Sequence, residues 1–192
     1  MPEPVRCAWC LSDPLLRAYH DAEWGVPTRD ERHHYEFLVL ESAQSGLSWL
    51  TVLRKRDGYR RHFADFDAER VARFGPAEIE AALLDPGIVR NRAKVEAAVN
   101  NARRVLEIRE QRGSFADWLW DFVDGRPIDG RRAQTGEIPA TTPLSDRVAK
   151  ELKARGFKFL GSTVVYAHLQ ATGVVNDHLL ACAWHDRPPI GP

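Results

Sequence analysis

The sequence has little cysteine, no net charge and no long apolar run. Its 192 residues include three cysteines, Cys7, Cys10 and Cys182. An odd number excludes a framework of fully paired disulfides, so we expect metal ligands or free thiols. No stretch of about 18 apolar residues could span a bilayer, and the first residues lack the pattern of a signal peptide. We therefore expect a cytosolic location.

The formal net charge of zero argues against a protein that binds nucleic acid through overall charge. The balance conceals two basic segments, residues 54–61 and 89–104, each with five basic residues and one acidic residue. Such segments can contact phosphates, but they are also common on solvated helix faces. Charge by itself leaves nucleic-acid binding open.

Apolar residues at helical spacing are what the sequence does contain, and period-two strand patterns are nearly absent. The spacing predicts an all-α fold, with helices within residues 33–44, 83–108, 114–123 and 144–156. Pro143 suits the start of the last helix and Gly156 suits its end. With 44% hydrophobic residues, the chain can form one buried core. We predict one domain over residues 1–192, which could divide into two helical lobes around a cleft.

Two segments have a less regular pattern. Residues 156–173 could open with strand-like residues, although most of them also fit a buried helix. Residues 123–143 are rich in Gly, Pro and polar residues, which predicts a long loop. A loop of this length inside a compact domain is typically functional or mobile.

His178 and Cys182 lie four residues apart near the end of the chain. On a helix this spacing puts both side chains on one face, as two ligands of one metal require. Cys7 and His20 offer a second pair near the start of the chain. One interpretation is therefore a zinc site with two Cys and two His ligands, built from both ends of the chain.

Cys10 and His185 complicate this interpretation, because they bring the number of candidates to six for four positions. Cys10 forms a Cys-x-x-Cys pair with Cys7, but no βαβ pattern surrounds it to favour a redox motif. All six residues would also be ordinary as buried side chains. Spacing alone leaves the metal site and its ligands open.

Aromatic residues are concentrated in the first quarter of the chain. They are Trp9, Tyr19, Trp24, Tyr35, Phe37 and Trp49. A hydrophobic core uses such residues too, so burial could explain them. The functional alternative is a stacking pocket for a planar ligand, of which an extrahelical nucleobase is one example.

Glu41 lies in an otherwise apolar helical stretch. A carboxylate is costly to bury without a partner, so Glu41 is a candidate functional residue unless it faces solvent. Asp21 and Glu23 are alternative carboxylates, although their segment could equally form a capped turn. The pattern favours Glu41 without excluding the others.

Pro86 and Gly87 form a predicted tight turn between two helical patterns. A glycine there can bring backbone N–H groups close to a phosphate, and Arg90, Arg92 and Lys94 follow at the start of the next helix. These are the features of a helix-hairpin-helix contact with DNA. A plain turn between helices would look similar.

Several motifs together resemble those of the bacterial 3-methyladenine DNA glycosylase I family. They include CAWC, YHDAEWG, SGLSW, GIVRNRAKV and VVNDH, and they follow the family's order over roughly residues 6–182. The combination of YHDxEWG, GLSW and VNDH is highly specific. The resemblance implies a helix-hairpin-helix-like glycosylase fold with a structural zinc ion that joins the N- and C-terminal segments.

The resemblance also implies a role for each candidate residue. The zinc ligands would be Cys7, His20, His178 and Cys182, which makes Cys10 and His185 bystanders. Gly46 and Leu47 would lie near the gap left by a flipped nucleotide. The hairpin would contact DNA through Gly87, Arg90, Arg92 and Lys94.

For the base pocket, the resemblance implies that Glu41 and Tyr19 hydrogen-bond a methylated adenine and that Trp49 stacks on it. The pocket would be walled by Trp9 and Trp24. This chain departs from many relatives at Leu16, where they carry a second tyrosine. An apolar wall can still enclose a base, but one hydroxyl is lost.

The implied activity is that of a monofunctional, monomeric enzyme of the bacterial cytosol, which flips 3-methyladenine out of double-stranded DNA and excises it. The methylated base carries a positive charge, so it leaves as a neutral molecule and needs no general acid. One alternative is a non-catalytic, zinc-stabilised DNA-binding module on the same scaffold. A more distant one is a thiol-redox or metal-handling protein built around Cys7 and Cys10.

Overall fold

The computed structural model describes residues 3–186, so the two ends of the predicted domain, residues 1 and 192, lie outside the described range. The described chain is mostly helical, which confirms the predicted fold class in outline. Its α-helices are α1 (Pro14–Ala22), α2 (Glu31–Gln44), α3 (Trp49–His62), α4 (Ala68–Val71), α5 (Pro76–Leu84), α6 (Arg92–Arg112), α7 (Phe115–Trp120), α8 (Pro143–Ala154) and α9 (Ser162–Ala171). Short 3-10 helices occur at Ala8–Cys10, Ala64–Phe66, Asp121–Val123 and Thr135–Glu137.

Local sequence explains several helix boundaries. The side chains of Asp30, Ser48 and Asn91 cap α2, α3 and α6, each accepting a hydrogen bond from the backbone N–H three residues further on. As predicted, α8 begins at Pro143. Gly156 follows its end with a φ of +82°, a conformation that glycine adopts without strain.

Helix α2 runs through the centre of the molecule. Ten consecutive residues, His34–Ala43, are buried, so the core surrounds the helix on every face. Helices α3, α6, α7 and α9 pack around it. This arrangement places Glu41, in the last turn of α2, inside the protein.

Helix α9 forms from the segment that was ambiguous in the sequence, and its helical interpretation is confirmed. It packs against α2, where His34 Nδ1 lies 3.2 Å from His168 Nε2. The two helices therefore face each other across a buried contact, and both carry residues of the cavity described below.

The segment after α9 carries His178 and Cys182. Their four-residue spacing would suit one face of a helix, but the chain forms no helix there. Instead, the chain forms a two-residue strand, β2 (Val175–Asn176), and then a series of turns. Strand β2 pairs in parallel with β1 (Ile128–Asp129) of the long loop, so the backbone hydrogen bonds run between segments and not within a helix.

The hairpin between α5 and α6 lies directly against α3. A Cβ atom at Gly58 would meet the backbone oxygen of Gly87 at 2.1 Å, so only glycine allows this approach. Lys55 adds a hydrogen bond of 2.5 Å from Nζ to the Pro86 oxygen. The two basic segments of the sequence are thereby held side by side.

Candidate functional site

A cavity of about 240 Å³ lies between α1, α2, α3, α9 and the loop that precedes α8. Five residues singled out in the sequence line it: Trp9, Tyr19, Trp24, Glu41 and Trp49. Four further lining residues were missed: Gln44, Ile138, Ala167 and Gln170. Only Gln44 had a signal, because it lies three residues after Glu41 and so shares its helix face.

Three polar side chains at this cavity have no hydrogen-bond partner within residues 3–186. Tyr19 Oη and Trp49 Nε1 are buried and make no hydrogen bond within residues 3–186. The side chain of Glu41 also makes none in that range, and burial raises its pKa to about 8. Buried polar groups are nearly always paired, so three unpaired groups at one cavity indicate a ligand site.

The aromatic residues form a wall with support behind it. The ring centroids of Tyr19 and Trp49 are 5.4 Å apart, and those of Trp9 and Trp24 are 5.1 Å apart. Phe37 does not line the cavity but stacks on Tyr19 at 6.1 Å. Tyr35, in contrast, belongs to the core, where its hydroxyl donates to the Ala98 oxygen.

The carboxylates considered as alternatives to Glu41 are already engaged. Asp21 pairs with Arg6 at 2.8 Å. Glu23 accepts two hydrogen bonds from Arg56, of 2.5 and 2.7 Å. Among these three carboxylates, only Glu41 lines the cavity and lacks a partner within residues 3–186.

Leu16 lies behind the aromatic wall. It is buried in the apolar cluster that contains Tyr19 and Phe37 and does not line the cavity. Leu16 therefore contributes apolar packing behind the wall, at a position where a tyrosine would add a hydroxyl. Tyr19 Oη has no side-chain partner behind it.

Four buried residues from the two ends of the chain form a possible metal-binding cluster: Cys7, His20, His178 and Cys182. Their ligand atoms all lie within 4.8 Å of one another. His178 Nδ1 is 3.7 Å from Cys7 Sγ and 3.6 Å from Cys182 Sγ, and His20 Nε2 is 3.5 Å from Cys182 Sγ.

The other ring nitrogen of each histidine is also engaged. His20 Nδ1 lies 2.8 Å from Asp21 Oδ1, and His178 Nε2 lies 3.1 Å from the Trp24 oxygen. Carboxylate and carbonyl partners of this kind fix the tautomer that presents a lone pair to a metal.

Cys10 and His185 lie outside the cluster. The Cys10 thiol donates to the Cys7 backbone oxygen at 3.1 Å. His185 contacts the carboxylates of Asp129 and Asp186 at 3.2 and 2.8 Å. Tertiary packing thus separates these two from the four residues that converge.

The residues predicted to contact DNA lie in the loop beside the cavity, between α2 and α3, and in the hairpin that packs against α3. Gly46, with a φ of +81°, and Leu47, which is 40% exposed, connect α2 to α3. In the hairpin, Arg90 is exposed, while Arg92 pairs with Glu80 at 2.6 Å.

Lys94 has a contact that the sequence did not suggest. Its Nζ donates to the backbone oxygens of Ala43 and Ser45 at 2.9 and 2.6 Å. These carbonyls belong to the C-terminal end of α2 and would otherwise lack partners there. Lys94 therefore ties α6 to the loop that carries Gly46 and Leu47, and its phosphate contact stays a prediction.

The helical fold with one aromatic, carboxylate-bearing cavity defines a protein that can bind a planar, cationic ring. Residues 9–185 match the sequence model of the methyladenine glycosylase family, so the chain belongs to this family. The family predicted from the motifs is confirmed.

Individual relatives agree with this assignment over almost their whole length. DNA-3-methyladenine glycosylase 1 of Escherichia coli (strain K12) is 45% identical over 177 residues, which are 92% of this chain and 95% of that protein. The structure of 3-methyladenine DNA glycosylase I from Staphylococcus aureus superposes with a TM-score of 0.92 at 37% identity, covering 95% of this chain and 97% of that one. A variant of such an enzyme in complex with 3-methyladenine gives a TM-score of 0.90 at 38% identity, covering 93% and 96%.

Proposed function

We propose that this chain is a monofunctional DNA glycosylase, which flips 3-methyladenine out of alkylated double-stranded DNA and hydrolyses its N-glycosidic bond. The observation that carries the proposal is the cavity at which Tyr19 Oη, Trp49 Nε1 and the Glu41 carboxyl all lack partners among the described residues. The relatives named above act on or bind this base according to their names. A base inside a duplex is out of reach, so the enzyme must take it out of the stack.

Recognition rests on the positive charge of the methylated base. The π-faces of Trp9, Trp24 and Trp49 attract a cationic ring, and the Glu41 carboxylate accepts a hydrogen bond from its exocyclic amine. Because burial raises the pKa of Glu41 to about 8, the carboxyl is largely neutral in the free protein at neutral pH. A cationic base favours the ionised form, whereas neutral adenine gains little from it.

The chemistry needs little from the protein. The cationic base departs as a neutral molecule, so no general acid is required at the leaving group. Water supplies the hydroxyl that replaces the base on the sugar, and no lysine nucleophile is involved. The site therefore accelerates the reaction by extracting the correct base and by stabilising its departing form in the cavity.

DNA would be held by the loop and the hairpin beside the cavity. We assign Gly46 and Leu47 to the gap left by the flipped nucleotide. Gly87, Arg90, Arg92 and Lys94 form a helix-hairpin-helix contact with the phosphates. One domain acting as a monomer in the cytosol is part of the same proposal, because one cavity serves one lesion.

The four-residue cluster would hold a structural zinc ion. Tetrahedral zinc with Zn–S of about 2.3 Å and Zn–N of about 2.0 Å separates sulfur and nitrogen ligands by about 3.5 Å. The three sulfur–nitrogen distances in the cluster, 3.5, 3.6 and 3.7 Å, fit that arrangement. Burial raises the pKa of the Cys7 thiol, so a cation is needed to hold it as a thiolate.

The test is incubation with methylated duplex DNA and measurement of free 3-methyladenine. We expect release well above the spontaneous rate for the wild-type protein, and a loss of about 100-fold or more for Glu41→Gln, which removes the charge that favours the cation. Both proteins should fold and hold equal amounts of metal. DNA binding without release by the wild-type protein would instead support a non-catalytic module, and an unchanged rate in the variant would remove Glu41 from its role.

A further inference from the structure

Gln170, in α9, lines the cavity and was not singled out in the sequence. Its Nε2 donates a hydrogen bond of 2.7 Å to Asp177 Oδ2. Asp177 is fully buried, and it also accepts hydrogen bonds from Tyr166 Oη and, at 3.3 Å, from Arg132 Nε. The Gln170 amide is thus hydrogen-bonded to a buried carboxylate that also accepts hydrogen bonds from two other side chains.

The hydrogen bond to Asp177 determines whether the NH2 group or the carbonyl oxygen of Gln170 is left for a ligand. Asp177 Oδ2 accepts hydrogen bonds from both Tyr166 Oη and Gln170 Nε2, and Asp177 Oδ1 pairs with Arg132, so the carboxyl group acts as an acceptor toward each of these neighbours. Gln170 must therefore turn its NH2 group toward Asp177. Its carbonyl oxygen makes no hydrogen bond within residues 3–186 and is not among the enclosed unpaired atoms, and the residue lines the cavity, so we infer that the oxygen is the end of the amide open to a ligand.

The orientation is held by packing as well as by charge. A Cβ atom at Gly130 would meet Asp177 Oδ1 at 2.0 Å, so the long loop lies closely against the carboxylate. The pairing of Asp129 with Asn176 brings both segments to this position. This close approach of the loop restricts rotation of the Asp177 carboxyl group on the Oδ1 side.

We propose that Gln170 is a specificity-determining residue, whose carbonyl oxygen accepts a hydrogen bond from the exocyclic amine of the base and repels a carbonyl oxygen at the same place. The inference deepens the proposed function and rests on it. An adenine carries an amino donor at position 6, whereas hypoxanthine and guanine carry an oxygen acceptor there. Together with Glu41, the cavity then offers two acceptors for the two N–H bonds of one amino group.

The test compares the binding of two free bases, 3-methyladenine and 3-methylhypoxanthine, which differ in the amino group and the oxygen at position 6. Binding is followed by the fluorescence of the cavity tryptophans, Trp9, Trp24 and Trp49. The wild-type protein should prefer 3-methyladenine. Gln170→Met, which keeps the length of the side chain without its amide, should reduce this preference roughly ten-fold, as expected for one hydrogen bond.

Tyr166→Phe is the matched control, because it also removes one hydrogen bond to Asp177 but does not alter a residue that lines the cavity. It should lower thermal stability and leave the preference for 3-methyladenine unchanged. If Gln170→Met does not fold, Gln170→Ala removes the amide with a good helix former.

The inference would be overturned by an unchanged preference in a folded Gln170 variant, or by a wild-type protein that binds both bases equally. Because this measurement needs no catalysis, it is independent of the excision assay. A protein that releases no base yet shows the predicted Gln170 effect would disprove the proposed activity and retain the recognition role. Normal excision without the predicted Gln170 effect would support the proposed activity and disprove the recognition role of Gln170.

Discussion

At the scale of one residue, Glu41 is a candidate functional side chain that lowers the stability of the folded protein. Its carboxyl is buried in the last turn of α2 with no partner in the described part of the chain, and its pKa is raised to about 8 from the ordinary value of 4.5. The raised pKa means that the folded state resists ionisation. Between about pH 4.5 and pH 8, Glu41 ionises in the unfolded chain but not in the folded protein. The free energy of unfolding therefore falls as the pH rises through this range.

Glu41→Gln should accordingly stabilise the free protein, and the stabilisation should grow as the pH increases. We expect little difference near pH 5 and about 1–3 kcal/mol in the free energy of unfolding near pH 8, because glutamine has no charge to bury. Denaturant unfolding at the two pH values measures it. The same variant that loses excision should thus gain stability.

Glu36→Gln is a suitable control on the same helix. Glu36 is also buried, but it pairs with Arg56 at 2.7 Å, so its loss should destabilise the protein. If Glu41→Gln also destabilised the protein at pH 8, the conclusion that Glu41 is buried without a stabilising partner would be wrong.

At the scale of elements, the contact between α3 and the α5–α6 hairpin determines where the predicted DNA-binding residues lie. The backbones meet at Gly58 and Gly87 without space for a side chain. Lys55 and Lys94 reinforce this region by binding carbonyls of the hairpin and of α2. If the hairpin moved away from α3, the predicted DNA-binding residues that it carries would also move relative to the cavity.

Gly58→Ala should push the hairpin away from α3. Although alanine favours a helix, its Cβ would lie 2.1 Å from the Gly87 oxygen, so we expect a net loss of about 1–3 kcal/mol in stability. Binding to undamaged duplex DNA should weaken as well. Thermal unfolding and DNA titration at fixed salt check both effects.

Gly136→Ala provides the comparison, because a Cβ there meets no atom within 4 Å. It should leave stability and DNA binding unchanged. Equal behaviour of the two variants would contradict the importance of the close contact in the hairpin.

At the scale of the whole molecule, the cluster of Cys7, His20, His178 and Cys182 joins the two ends of the described chain. A backbone hydrogen bond of 2.9 Å from Ala183 N to the Val5 oxygen lies beside it. Trp9 and Trp24, which line the cavity, flank His20 at ring-centroid distances of 5.5 and 6.1 Å. The cluster therefore supports one wall of the cavity without lining it.

Removal of the proposed zinc ion should loosen both chain ends at once. Cys182→Ala, or treatment of the wild-type protein with a strong chelator, should abolish metal binding and lower the free energy of unfolding by about 3 kcal/mol or more. Metal analysis and thermal unfolding measure the two effects. Cys10→Ala is the control, and it should retain the metal because its thiol lies outside the cluster. Equal metal content in the two cysteine variants would disprove the assignment.

Much of the fold was predictable because its signals are local. Helical periodicity, Pro143 and Gly156 act within a few residues of where they stand, and they predicted α8 correctly. The conformation around His178 could not be predicted from its four-residue spacing to Cys182, because its backbone partners come from residues 128–132, far away in the chain. Local periodicity carries no information about such a partner.

The sequence by itself determined the helical class, the family and the residue types of the candidate site, since motifs and helix caps are properties of short segments. Only the tertiary structure decided which polar groups remain without a partner. Glu41 is free while Glu23 is paired, and Gln170 turns its oxygen to the cavity because Asp177 holds its nitrogen. Hydrogen-bond satisfaction depends on every neighbour at once, so it is known only when distant segments have been brought together.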